Sequence, residues 1–504
     1  MALQPPTVPH LRRLAEAHHF ELNDEEVAAF QSFLPGIFTA LDTLDQAPSN
    51  LPPLVYHERD PGGRPSRESD PLNAIIRRCS VKGAKGGKLA GKRIGIKDNV
   101  CVAGIPMTCA SRVLEGYVPD IDATIIRRIL DAGGEITAIL NMDNFAFSGG
   151  GDTSANGPTR NPHNSEHLAG GSSGGSAAAL YYPDIDMTIG GDQGGSIRIP
   201  ASWCGVLGLK PTHGLVPYTG IVGIDATFDH AGPMARTAAD VALLLEVIAG
   251  KDPMDPRQSD VTVQSYTQML MKDLRGLEIG ILREGFGTPL SDPEVDSKVR
   301  RAVEAMRDLG AQVEEVSAPA HLEAGGIIWA LIAEGMAALL HGNGVGYHWK
   351  GLYNESLANT IGKSLRAQAQ DLSAQLKFTL LVGSYLNSAY HGRLYAKGQN
   401  QRRLLQEAYD RVLRQVGVLV MPSTPMTAHR YNPNQSVSEL IDHGWNMLAN
   451  TAPFNMTGHP SLSVPCGKSN GLPVGMMLTG AHFEDGTLLR VAHAFEQQMP
   501  WDKR

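Results

Sequence analysis

Apolar positions recur at helical spacing from the first turns of the chain. Leu11, Leu14 and Ala15 share one face of a segment beginning near residue 8, and Val27, Phe30, Leu34, Ile37, Leu41 and Leu44 form a second periodic run. Asn23, followed three residues later by Glu26, has the form of a capping box, so the second helix should begin there. Pro35 should kink or divide it. From Gln46 to Pro71 the periodicity is lost and proline, glycine and charge take over, as in a linker or a wrapping strap.

Between about residues 85 and 315, short apolar runs alternate with helical patterns. Arg93–Ile96 and Glu135–Leu140 read as strands flanking a helix from Asp122 to Gly133. Helices from Thr237 to Gly250 and from Pro293 to Gly310 have clear ends, with strands expected at Leu277–Leu282 and Gln312–Val316. Residues 320–412 look mostly helical, after which Val418–Met421 and Leu462–Val464 resume the strand pattern. The alternation implies an α/β fold with a mixed, largely parallel central sheet covered by helices. The expected organisation is a helical segment and linker over 1–70 and one large domain over 71–504, with 320–412 inserted as a helical subdomain.

Composition narrows the function classes. The net charge of −8 carries no long single-sign run, which argues against a nucleic-acid or anionic-membrane partner held by bulk electrostatics. No stretch of ~18 uninterrupted apolar residues occurs, so no membrane span is expected. The five cysteines, Cys79, Cys101, Cys109, Cys204 and Cys466, are scattered without a C-x-x-C pair. They indicate neither a disulfide framework nor a thiolate zinc site, and a reducing cytoplasm fits best. His167, His213, His230 and His459 are too far apart in sequence for an H-E-x-x-H metal motif. Gly86–Lys92 is shaped like a phosphate loop, yet Arg93 stands where a magnesium-binding hydroxyl belongs.

Glycine points to the chemistry. Fifteen of the 71 residues from Phe145 to Leu215 are glycine, concentrated in Gly149–Gly151, Gly170–Ser176 and Gly190–Arg198. Backbone must approach something closely there. Ser172 and Ser173 precede a helix start whose free N–H groups suit an anion or oxyanion, and the strand-like Met187–Ile189 ends in glycines that deliver Ser196. A serine hydroxyl needs a base within ~2.6–3.2 Å to become a nucleophile. None of the seventeen histidines lies in these loops, whereas Lys97 ends a short strand and could serve as a neutral base if buried.

Lys97 in Gly95–Asn99, the Gly170–Ser176 block, and Ser196 in Gly194–Pro200 together resemble the amidase signature family, and Ser172 and Ser196 keep that family's 24-residue separation. The likeness runs from about residue 70 to 497, and within the family it is nearest to bacterial amidases associated with nitrile metabolism. The resemblance implies the amidase signature fold and a Ser-cisSer-Lys triad: Ser196 attacks, Ser172 follows a cis peptide bond and relays the proton, and Lys97 accepts it. It also implies an oxyanion hole from the backbone N–H groups of Gln193, Gly194 and Gly195, with Asp192 and Arg198 bracing the loop. Ser173 and Ser176 are expected as loop and cap groups, and Phe147 and Trp329 either as ordinary core packing or as walls of an apolar acyl pocket.

The implied activity is hydrolysis of small apolar aliphatic or aromatic carboxamides, without cofactor or metal. The same triad could instead act on carbamate, anilide, hydrazide or indoleacetamide-type substrates. A reading of another class is an amidotransferase subunit dependent on partner chains. The amphipathic N-terminal helices point to a homodimer.

Overall fold

The computed structural model describes residues 2–271, 273–498 and 501. The chain divides into two compact units between Pro52 and Pro53 rather than at residue 70.

In the first unit, helices Val8–Ala17 and Asp24–Asp45 pack Val8, Leu11, Ala15, Leu22 and Val27 together. The capping box forms as expected: Glu26 N donates to Asn23 Oδ1 and Asn23 N donates to Glu26 Oε2, each at 2.9 Å. The second helix runs through Pro35 without dividing. The proline lacks the N–H that would reach back one turn, but its own carbonyl accepts the Thr39 hydroxyl at 2.8 Å. By length and composition, Asp24–Asp45 and Pro319–His341 are each apolar enough to cross a membrane, although neither is uninterruptedly apolar. Just over half of the second stretch is buried inside the protein itself.

The larger unit is built on one twelve-stranded sheet. Its strands are β1 (Arg59–Gly63), β2 (Ile75–Lys82), β3 (Arg93–Lys97), β4 (Glu135–Leu140), β5 (Met187–Asp192), β6 (Leu207–Lys210), β7 (His230–Ala235), β8 (Glu278–Leu282), β9 (Gln312–Val316), β10 (Val418–Pro422), β11 (Ser461–Ser469) and β12 (Leu472–Gly480). They lie in the order β1-β2-β4-β3-β5-β7-β6-β11-β12-β10-β8-β9. The sheet is mixed as expected, but parallel pairing does not predominate: among the described residues four pairings are parallel and seven antiparallel. The β-α-β units read from sequence do give parallel neighbours, β3 with β4 across helix Thr124–Asp131 and β8 with β9 across helix Pro293–Asp308. Strands that lacked a recognisable pattern supply most of the antiparallel pairs.

Residues 59–63, expected as strap, form the edge strand β1. An edge tolerates Pro61 and its exposed neighbours because one side of the strand needs no partner. Arg59 closes a buried ion pair with Asp122 at 2.6 Å, so Asp122 is engaged there rather than capping the following helix. Between β9 and β10 the chain is mostly helical, with helices Ala324–His341, Glu355–Gln368, Ala374–Tyr390 and Arg393–Leu413.

Candidate active site

β3 and β5 are parallel neighbours, so their carboxyl ends open at the same edge of the sheet, where α/β folds place ligands. Lys97 is the last residue of β3, and its Nζ lies 2.7 Å from Ser172 Oγ and 3.1 Å from Gly191 O. The Gly171–Ser172 peptide is cis, as the resemblance implied. Gly171 is required by close approach: a Cβ there would sit 1.8 Å from Asp143 Oδ2. Asp143 organises that turn, donating its N–H to Ser172 O and accepting from Gly151 N, Thr153 N and Thr153 Oγ1.

Ser173 stitches the blocks together. Its N–H donates to Ser196 O at 3.1 Å, and its hydroxyl bonds both the carbonyl and the N–H of Gly191. Ser176 does the same for the strand behind, donating to Ile189 O at 3.0 Å. Lys97, Ser172, Ser173 and Ser196 are all buried.

The loop from Gln193 to Ile197 turns from β5 into helix Arg198–Cys204 around one carboxylate. Asp192 accepts from Gly195 N at 2.7 Å, Ile197 N at 3.0 Å and Arg198 Nε at 3.0 Å, while Arg198 Nη2 also reaches Asn455 Oδ1 at 2.6 Å. The bracing roles of Asp192 and Arg198 are therefore visible in the geometry. Gly195 needs correction as an oxyanion donor, because its N–H is spent on Asp192. Among the described residues, the buried N–H groups of Gln193, Gly194 and Ser196 have no partner. Buried backbone donors are almost always paired, so these three are the ones left for a ligand. Thr451 holds the loop from the other side, its hydroxyl donating to Gly194 O at 2.6 Å.

Electrostatics follow from burial. Desolvation depresses the Lys97 amine from 10.5 to about 7, against the opposing pull of Asp143 and Asp192. Burial raises the Asp143 carboxyl to about 7. Asp192 is buried too, but Arg198 and Asn455 outweigh the desolvation and hold it at about 2, a permanent anion beneath the loop.

Phe147 and Trp329 are bridged by a residue that sequence did not flag. The Trp445 ring lies 5.4 Å from Phe147 and 4.8 Å from Trp329, and Phe378 continues the row 6.4 Å beyond Trp329. Phe147 is buried and Trp329 is 36 % exposed, so the aromatic wall runs from the interior to the surface. Leu448, one turn after Trp445, lies beside Gly194 of the loop. On the other side, Gln193 Nε2 donates to Tyr218 OH at 2.8 Å, and Tyr218 borders a cavity of about 590 Å³ with Ile221, Leu339, Trp349 and Tyr395. Gln193 Oε1 and Asn99 Oδ1 are buried without a partner among the described residues.

The Amidase family model matches residues 73–489. The chain belongs to the amidase signature family. It is 42% identical over 439 residues to an enantioselective amidase of Rhodococcus rhodochrous, covering 86% of this chain and 84% of that protein. It is 40% identical over 428 residues to a glutamyl-tRNA(Gln) amidotransferase subunit of Gloeobacter violaceus, covering 84% and 86%. Among solved structures, peptide amidase from Stenotrophomonas maltophilia superposes with a TM-score of 0.70 at 28% identity over 85% of this chain and 90% of that one. The glutamyl-tRNA(Gln) amidotransferase subunit from Thermotoga maritima gives 0.72 at 31% identity, over 86% and 89%. The amidase signature fold and membership of a family of amide-cleaving enzymes thus stand on sequence and structure together, and this chain is a hydrolase acting on amides.

Proposed function

We propose that this amidase hydrolyses small apolar aliphatic or aromatic carboxamides through an acyl-serine on Ser196. The observation that carries the reading is the 2.7 Å contact between Lys97 Nζ and Ser172 Oγ, made by a buried amine that is largely neutral near pH 8. Ser196 Oγ attacks the carbonyl carbon, its proton passes to Ser172 Oγ, and the Ser172 proton passes to Lys97. The developing oxyanion is met by the N–H groups of Gln193, Gly194 and Ser196, of the kind whose single removal costs about 10²–10³ in rate. As the C–N bond breaks, the proton returns through Ser172 to the leaving nitrogen and ammonia departs. Water then takes the place of Ser196 in reverse, releasing the carboxylate.

The row Phe147, Trp445, Trp329, linked to the loop through Leu448 beside Gly194, supports an apolar acyl group because it is aromatic and uncharged. Carbamates, anilides and hydrazides present the same carbonyl and remain within reach of the same triad. The test is the isolated chain with a panel of amides, esters, anilides and carbamates, read for ammonia or amine release and for an acyl mass on Ser196. Turnover of benzamide-like substrates with a Ser196 adduct is expected. The second reading, favoured by the identity to amidotransferase subunits, requires the opposite: no ammonia release until partner subunits are added. We further propose that two copies associate through helix Asp24–Asp45, whose Phe30, Phe33, Ile37, Leu41 and Leu44 are exposed.

A further inference from the structure

We propose that Asp410, His459 and His482 form a binding site for a divalent late first-row transition ion, with Zn²⁺ as the best chemical fit. The three come from separate elements: Asp410 from helix Arg393–Leu413, His459 from just after helix Ala452–Thr457, and His482 from just after β12. Gly458, at φ 76°, turns the chain so that Thr457 and His459 face the same point.

The hydrogen bonds fix where the lone pairs lie, the ring tautomers being inferred from their partners. With the one Thr457 hydroxyl hydrogen placed on Pro453 O, 3.2 Å away, its oxygen accepts from His459 Nδ1 at 2.9 Å. Nδ1 therefore carries the ring hydrogen, and the lone pair of Nε2 faces Asp410 Oδ1 at 3.0 Å. His482 Nε2 lies 2.9 Å from Thr457 O, a carbonyl that only accepts, so its free lone pair is on Nδ1, 3.9 Å from the same Asp410 oxygen. In that tautomer three electron pairs converge on one point, where the other tautomer would place a single His459 Nε2–H···Asp410 hydrogen bond. A proton on His459 would serve one edge of this triangle and leave His482 unserved, whereas a cation at the centre serves all three. Fixing each ligating imidazole through its other nitrogen is the arrangement that metal sites use.

Dimensions agree. Zinc bonds of ~2.0–2.2 Å to nitrogen and oxygen put tetrahedral ligands about 3.3–3.5 Å apart. The observed 3.0 and 3.9 Å bracket that edge, and all three ligand atoms lie within 4.8 Å of one another. Two imidazoles and one carboxylate suit zinc, cobalt or nickel and not the all-oxygen shells of calcium or magnesium. The His459 side chain is fully buried, while those of Asp410 and His482 are about 30 % exposed, which leaves the remaining position to water. Arg402, which lines the neighbouring cavity, points its guanidinium at Thr227 O and Met456 O. The ion would pin the end of the helix whose Asn455 and preceding Thr451 hold the catalytic loop, without entering the chemistry.

Full-length protein stripped by a chelator and titrated with Co²⁺ should bind one ion per chain with the visible absorption of a low-coordinate nitrogen–oxygen site. Zn²⁺ should displace it and raise the melting temperature. Asp410→Asn and His482→Gln, both at partly exposed positions, should each lose the absorption, while His213→Gln in the adjoining cavity should keep it. Absence of the cobalt spectrum in the native chain would overturn the assignment. So would a spectrum unchanged in both ligand variants, which would place the ion on surface histidines instead.

Discussion

Burial brings the Lys97 amine down to about 7, close to neutral pH. The rate constant kcat/KM should therefore rise with pH through a limb near 7 as the base loses its proton. Asp143 in its charged form favours the lysine cation, so Asp143→Asn should move that limb to lower pH, as a pH–rate profile will read. A limb that moves upward or stays fixed would mean that another group is titrating. The same burial opposes folding. In the unfolded chain the lysine takes its proton near 10.5, so the penalty grows as pH falls from there and is complete below about 7. At ~1.36 kcal/mol per unit, it amounts to a few kcal/mol. Lys97→Met should accordingly lose activity by about a thousandfold or more yet unfold in urea at pH 7 no more easily than the native chain, with its relative advantage shrinking towards pH 10. Ser196→Ala should lose activity to a similar degree with stability nearly unchanged.

At the scale of elements, the site depends on short segments that brace one another rather than on the long helices. Thr451→Val keeps shape but removes the hydroxyl that holds Gly194 O, and a bond of about 1 kcal/mol corresponds to roughly a five- to tenfold fall in kcat with KM little changed. A rise in KM alone would assign Thr451 to substrate binding instead. Lys97, Ser172 and Ser196 were legible as candidates because glycine blocks and a strand end mark them locally, while their catalytic roles came from the family resemblance. Asp143, Asn455, Tyr218 and Trp445 were not, because each reaches the loops from a distant segment and carries no local pattern. Gly195 was misassigned because nothing in the sequence tells which N–H the Asp192 carboxylate will take. Strands failed for related reasons: β7 and β12 are buried on both faces and contain proline and glycine, so neither alternation nor β-propensity marks them. One missed signal was readable. Asn470 and Gly471, both at positive φ, form the two-residue turn joining β11 to β12, and Asn-Gly is the strongest short hairpin signature.

For the whole molecule, one unsatisfied feature among the described residues is the apolar stripe on helix Asp24–Asp45. Phe30, Phe33, Ile37, Leu41 and Leu44 recur at intervals of three and four, and Phe33 is 72 % exposed. Such a seam is what one amphipathic helix offers another, and the acidic first turn, Asp24 to Glu26, makes an anionic lipid surface the poorer occupant. A second copy presents the same seam by symmetry, and closed two-fold pairing buries both at once. On the self-pairing proposed above, the native chain should sediment as a dimer and Phe33→Asp with Ile37→Lys as a monomer in sedimentation equilibrium. The larger unit has its own core, so amide hydrolysis per chain should survive the change within a few-fold. A native chain that sediments as a monomer, or that pellets with vesicles of neutral lipid through this helix, would remove the self-pairing reading. It would leave the catalytic assignment untouched, because the residues of the candidate active site all lie beyond Pro53.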